Sequence, residues 1–204
     1  RLKYSLLDGR WEHIAGAAYH THQADLLTGG AVSFSSKGEK TRLDYQTNLF
    51  LETPDLANAR HTFTLLVERE TDAQQTASAF GGSDLEITNY GVVGEYRASL
   101  FDRLFLSGSI RHDVNELFDN ATTFRATAAY LVQSTGTRLH GSYGTGVKNP
   151  TLFELYGFGR NFFPNPNLQP EQSRGFDIGI EQSLWDDRVL IDLTYFNSNI
   201  TNLI

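Results

Sequence analysis

The sequence predicts an all-β chain: an antiparallel up-and-down transmembrane β-barrel, present as an incomplete set of about ten strands. Three observations predict it. From residue 40 to residue 51 polar and apolar side chains alternate almost without fault. Thr41, Leu43, Tyr45, Thr47, Leu49 and Leu51 fall on one side, and Lys40, Arg42, Asp44, Gln46, Asn48 and Phe50 on the other. Successive strand residues point to opposite faces, so such a strand has one oily and one wet side. The run is also about twice the ~5–6 residues of an ordinary strand, and it matches the ~9–11 tilted residues that cross a bilayer. Finally, the connections alternate short and long, as periplasmic turns and extracellular loops do in outer-membrane barrels.

Taken in order, residues 1–7 read as a first strand. Asp8-Gly9 reads as a two-residue hairpin turn, because both positions tolerate positive φ, and residues 11–21 return. A long polar connection is expected over 22–38. The clear strand follows over 38–51, with a proline-containing turn at Thr53-Pro54-Asp55. The strand over 61–70 places Phe63, Leu65 and Val67 on one face and Thr62, Thr64, Glu68 and Glu70 on the other, with Leu66 as an exception. A second long connection, 71–84, ends in Gly81-Gly82-Ser83. Residues 85–99 and 104–112 form a hairpin around 100–103, and 113–120 is a longer loop. Residues 122–133 and 137–146 pair around Ser134-Thr135-Gly136. The longest connection covers 147–172, with one helical turn expected within 149–157, where Pro150 stands near the start. Residues 173–184 and 188–199 make the last hairpin, with Asp186-Asp187 in its turn. Aromatic residues near strand ends (Trp11, Tyr19, Phe50, Tyr96, Phe101, Phe105, Trp185, Tyr195) suit an interfacial girdle between lipid and water.

Composition sets limits. With 40% hydrophobic and 20% charged residues, the chain fits a soluble domain or a barrel equally well, since a barrel hides its apolar residues by alternation. No stretch approaches the ~18 consecutive apolar residues of a membrane helix, and no signal peptide opens the chain. The absence of methionine among the 204 residues leads to the expectation of a processed chain or a fragment. The absence of cysteine excludes a disulfide framework, thiol catalysis and cysteine metal sites. A formal net charge of −7 argues against non-specific nucleic-acid binding, which needs a basic surface.

One stretch is specific. Residues 141–157 read Gly-Ser-Tyr-Gly-Thr-Gly-Val-Lys-Asn-Pro-Thr-Leu-Phe-Glu-Leu-Tyr-Gly. After a gap come Asn165, Pro166, Asn167, Leu168, Gln169, Pro170 and Glu171, then Phe176-Asp177-Ile178-Gly179. Near the end stand Ile200, Leu203 and Ile204. In this order and spacing the segment resembles the barrel domain of TonB-dependent outer-membrane receptors and transporters. The resemblance covers most of the chain; upstream it includes Asn89-Tyr90-Gly91 and residues 108–113. It implies that residues 1–204 are part of the β-barrel domain, without the N-terminal plug domain and the remaining strands. It implies a parent of 22 strands filled by a plug. It implies energy-coupled uptake of a scarce nutrient, a ferric siderophore or a cobalamin-like ligand, in the Gram-negative outer membrane. The partners so implied are the lipid bilayer, the plug, a TonB-type periplasmic energy-coupling protein and a small-molecule substrate.

The family-motif loop therefore comprises Pro150, Leu155, Tyr156, Asn165, Pro166, Asn167, Leu168, Pro170 and Glu171. From the residues alone, the prolines stiffen a loop, the asparagines bond their own backbone, and Glu171 accepts hydrogen bonds in the turn. Shaping the loop is favoured over direct ligand contact. Ligand-binding candidates are Tyr156, Phe158, Arg160, Asn161, Phe162 and Phe163. Aromatic rings supply contact area and Arg160 suits an anionic chelate or phosphate; packing of the loop on its neighbours is the other reading. Haem receptors of the family usually carry a histidine between the two motif elements, and residues 151–164 contain none. Lys40, Arg42, Glu68, Arg125, Arg138 and Asp177 are expected to line the lumen, with Gly175 and Gly179 leaving room there or kinking the strand.

No catalytic residues, metal or cofactor are assigned. His20 and His22 share a strand face with Asp25 shortly after, a pattern more often a rim contact or chance than a metal site. His112-Asp113 could orient an imidazole for hydrolysis, against the reading of a solvated rim. Two alternatives stay open: a soluble β-sandwich binding module, for carbohydrate for example, and an outer-membrane hydrolase. Ten strands of a larger barrel would also leave two unpaired edges, through which copies could self-associate.

Overall fold

The structure is a computed structural model and describes residues 1–79, 81–157 and 163–204. Ten strands occur: β1 (Leu2–Leu6), β2 (Trp11–Thr28), β3 (Ala31–Thr53), β4 (Ala59–Ser78), β5 (Gly81–Leu100), β6 (Leu104–Asn115), β7 (Ala121–Val132), β8 (Thr137–Lys148), β9 (Glu171–Leu184) and β10 (Val189–Thr201). A short helix, α1 (Leu152–Tyr156), lies between β8 and β9. The strands form one antiparallel sheet in chain order, without crossovers. No second sheet packs on it among the described residues, which removes the sandwich reading.

The sheet departs from the expected boundaries in one systematic way. Residues 22–28, 31–38, 71–78 and 81–84, expected in loops, are strand. They are the upper halves of β2, β3, β4 and β5, which run 18 to 23 residues each. β6, β7 and β8 have 12 each. The turn between β2 and β3 is made by Gly29 and Gly30, both at positive φ. At the other end, Leu6 pairs with Trp11, so the first turn has four residues rather than the two expected at Asp8-Gly9. Leu7, Asp8 and Gly9 all sit at positive φ there. The turn between β5 and β6 puts Phe101 and Asp102 at φ 56° and 53°, and Arg103 N–H closes it on Leu100 O at 3.0 Å. That is the mirror-image turn that matches strand twist.

The register carries a constant offset. A hydrogen-bonded row that starts at Trp11, the first residue of β2, passes through Leu49, Phe63, Tyr96 and Tyr143 and ends at Asn197. Asn197 stands eight residues above Val189, where β10 begins. Eight residues at ~3.3 Å across eight strand spacings of ~4.8 Å correspond to a tilt of ~35°. This lies at the edge of the ~35–45° that barrel closure demands.

The two faces differ as the alternation predicts. Leu43, Tyr45, Leu65, Val67, Val92, Ile110, Phe124, Phe176 and Ile178 lie on the outer face and are exposed, Leu43 at 50%. In water this would be unsustainable apolar area; in a bilayer it is the solvated side. Phe50 and Phe105 are the two girdle candidates that fall on the opposite, inner parity. Phe105 pairs with Ala129 and shares an inner depression with Arg60, Ser107 and His140. Phe101 and Trp185 belong to turns.

On the inner face, charges are joined across neighbouring strands. Glu68 lies 2.5 Å from Arg42 Nη2 on one side and 2.6 Å from Arg111 Nη2 on the other. Arg111 also pairs with Asp113, at 2.6 Å. To reach Glu68 on β4 from β6, Arg111 passes over Gly91 of β5, where a Cβ would come within 2.6 Å of its Nη2. His140 of β8 reaches Asp192 of β10 at 3.2 Å in the same manner, over Gly179 of β9. The inward glycine at 179 therefore admits a neighbour's side chain.

Candidate functional site

The longest connection is built around α1. Thr151 caps it in a reciprocal box: Glu154 N–H donates to Thr151 Oγ1 at 3.2 Å, and Thr151 N–H donates to Glu154 Oε2 at 2.7 Å. Two of the orphan donors of a helix start are thereby satisfied. These bonds hold the Glu154 carboxyl below the ordinary glutamate range, with the Thr151 backbone N–H as the main cause and partial burial opposing it. Leu155 and Leu152 are buried, at 1% and 8% exposure. Their helix packs against β4 and β5. Phe153 and Tyr156, on the other side of α1, remain about two-fifths exposed (42% and 40%).

The motif residues cooperate in shaping this loop. Pro150 is buried at the approach to α1. Asn165 N–H donates to Glu154 O at 3.1 Å, tying the second motif element to the helix. Asn165 Oδ1 accepts from Asn167 N–H at 3.0 Å, and Leu168 N–H closes the turn on Asn165 O at 3.2 Å. Pro166 and Asn167 are exposed on it. Glu171, at the start of β9 just past Pro170, accepts from Lys148 Nζ at 3.3 Å and from Ile204 N–H at 2.9 Å. Its partners thus lie on β8 and beyond β10 rather than inside the turn.

Of the ligand candidates, Tyr156 is on α1 and Phe163 stands 90% exposed. Phe158, Arg160, Asn161 and Phe162 lie outside the described residues. Lys40, Arg42, Glu68, Arg125, Arg138 and Asp177 all take inner-face positions by register. The hydrolase reading fails on geometry. His112 bonds Thr122 at 2.8 Å on the outer face, while Asp113 bonds Arg111 and Asn89 on the inner face. Consecutive residues of β6 face apart, so the imidazole and the carboxylate cannot act as a dyad. Among the described residues no three histidines or carboxylates converge as a metal site.

A sequence model of the TonB-dependent receptor-like β-barrel matches residues 1–204. The chain belongs to the TonB-dependent receptor β-barrel family. Solved structures agree on the fold. A mutant ferric enterobactin receptor, PfeA of Pseudomonas aeruginosa, in complex with enterobactin superposes with a TM-score of 0.79 at 16% identity, over 97% of this chain and 34% of that one. The siderophore receptor PirA of Pseudomonas aeruginosa gives 0.70 at 19% identity, over 94% and 40%. The hemophore receptor HasR of Serratia marcescens, in complex with its hemophore HasA and heme, gives 0.65 at 13% identity, over 95% and 41%. The chain therefore spans about 34–41% of the length of these receptors. That family is one of receptors and transporters rather than enzymes, and it resides in the Gram-negative outer membrane.

Proposed function

We propose that the chain forms part of the barrel of an outer-membrane receptor that imports a scarce nutrient, a ferric siderophore or a cobalamin-like ligand, by energy coupling. One observation carries the reading beyond family membership. α1, in the longest connection, packs on β4 and β5 with Leu152 and Leu155 buried. We assign Tyr156 and Phe163 of that connection, both exposed, to the mouth of the lumen, where aromatic faces can meet a large ligand. In this reading, residues 1–204 are one part of the barrel domain. A plug domain of the parent chain fills the lumen against the charged inner wall, and a TonB-type protein supplies the pull. The outer face meets lipid.

The test is growth of a strain lacking the complete receptor, on single iron chelates and on limiting cobalamin. Loss of growth on one such source, restored by the intact gene, is the expected result. Undiminished growth on every chelate and on cobalamin would remove the nutrient-import reading. In the complemented strain, Tyr156→Ala is expected to lower uptake of the supported ligand by about tenfold, the scale of one lost aromatic contact of ~1–1.5 kcal/mol. Radiolabelled uptake measures it.

A further inference from the structure

The chain has six histidines, and four of them are engaged. His13 Nδ1 lies 2.6 Å from Tyr45 Oη, and His61 Nδ1 lies 2.8 Å from Tyr96 Oη. His112 holds Thr122 at 2.8 Å, and His140 holds Asp192 at 3.2 Å. His20 and His22 differ. Neither has a hydrogen-bond or ion-pair partner among the described residues, and their sole ring contact is with each other. The centroids are 6.0 Å apart, with planes 28° from parallel. Both take the inner-face parity of β2, opposite Lys40 and Gly38 of β3.

The surroundings preserve this pair. Gly38 is the residue across from His22, and a methyl group there would collide with the imidazole ring. Its hydrogen side chain is what allows the ring to lie over β3. Lys40, across from His20, is the cation that would oppose a metal ion. It is drawn away to β4, where its Nζ sits 2.5 Å from Glu70 and 3.4 Å from Asp72. His20 and His22 are the tenth and twelfth residues of β2 (Trp11–Thr28), at the end of the ~10-residue stretch that suffices to cross a bilayer.

We propose that His20 and His22 form a chelating site for a borderline first-row divalent ion at the mouth of the lumen, with Cu2+ the tightest ligand. Residues i and i+2 of a strand project from one face ~6.6 Å apart, and small rotations of two unengaged rings bring one nitrogen of each to a common ion. Imidazole nitrogen suits copper, nickel and zinc, and copper heads the affinity order. With no third histidine or carboxylate converging among the described residues, the other coordination positions are left to water or to donor atoms of an incoming chelate. The site does not depend on which nutrient the receptor carries.

The experiment is Cu2+ titration of the complete, detergent-solubilised receptor, followed by electron paramagnetic resonance. The expected result is one Cu2+ whose spectrum shows coupling to two imidazole nitrogens. His20→Ala and His22→Ala should each weaken that binding at least tenfold, and the double variant should abolish the two-nitrogen species, while His112→Ala leaves it intact. Absence of a two-nitrogen species in the wild type overturns the site, and so does its persistence in the double variant. Near-ultraviolet circular dichroism checks folding. If the alanine pair misfolds, the His20→Gln/His22→Gln receptor replaces it.

Discussion

Glycines on the two faces of this sheet serve different ends. Gly91 and Gly179 face inward and lie under the side chains of neighbouring strands, whereas the outer-face Gly108 meets nothing within 4 Å. The inward position of Gly179 is legible from strand parity in the sequence. What fills the space is not, because the partners are set by register between distant segments: Arg111 reaches Glu68, and His140 reaches Asp192. Gly91→Val should therefore push Arg111 off Glu68 and cost about 1–2 kcal/mol, a value reduced for the partial exposure of Arg111. Urea unfolding of the micelle-bound receptor reads that loss, and an unchanged midpoint would show that the bridge contributes nothing. The outer face obeys a different rule. Leu65→Arg places a cation against hydrocarbon and should cost ~2–4 kcal/mol near the bilayer midplane, whereas Leu65→Ile should leave the same midpoint nearly unmoved.

At the scale of elements, the legible parts were those that alternate. Strand 40–51 does so visibly, with an apolar and a polar side. Residues 22–28, 31–38, 71–78 and 81–84 continue the strands but are largely polar on both sides, so hydropathy no longer marks them. They hold instead through the backbone ladder and polar cross-strand pairs, such as Ser35 Oγ to Asp25 at 2.6 Å and Thr76 to Ser83 at 2.7 Å. α1 was visible through Pro150 and the short apolar run, yet its landing place on β4 and β5 is a long-range contact that no local pattern encodes. Thr151→Ala should remove the cap at a cost of ~1 kcal/mol. Faster amide exchange over 152–156, with barrel melting unchanged, is the expected signature. The helix also has a pH dependence of known sign. The Glu154 carboxyl is held below its usual value of 4.5, so its contribution is present above that value and fades as pH falls through the depressed folded value. Protection factors over α1, taken against the intrinsic exchange rate at each pH, should fall below about pH 4.5 and show no such step in Glu154→Gln.

At the scale of the whole molecule, the ten strands leave the outer edges of β1 and β10 without partners in the sheet. Unpaired edges of this length template further pairing. The 204-residue chain by itself should associate in detergent through them, and light scattering that finds only monomer would contradict this. The ligand chemistry was the least legible feature. Four of the six aromatic and polar candidates lie at positions 158–162, outside the described residues. The unequal strand lengths have a last consequence. β4 and β5 exceed β7 and β8 by eight residues, which at ~35° of lean is about 20 Å of extra height. The rim is thus a parapet on one flank and a low sill on the other. In the receptor proposed above, a large ligand arriving over β4 and β5 would meet backbone about 20 Å earlier than one arriving over β7 and β8.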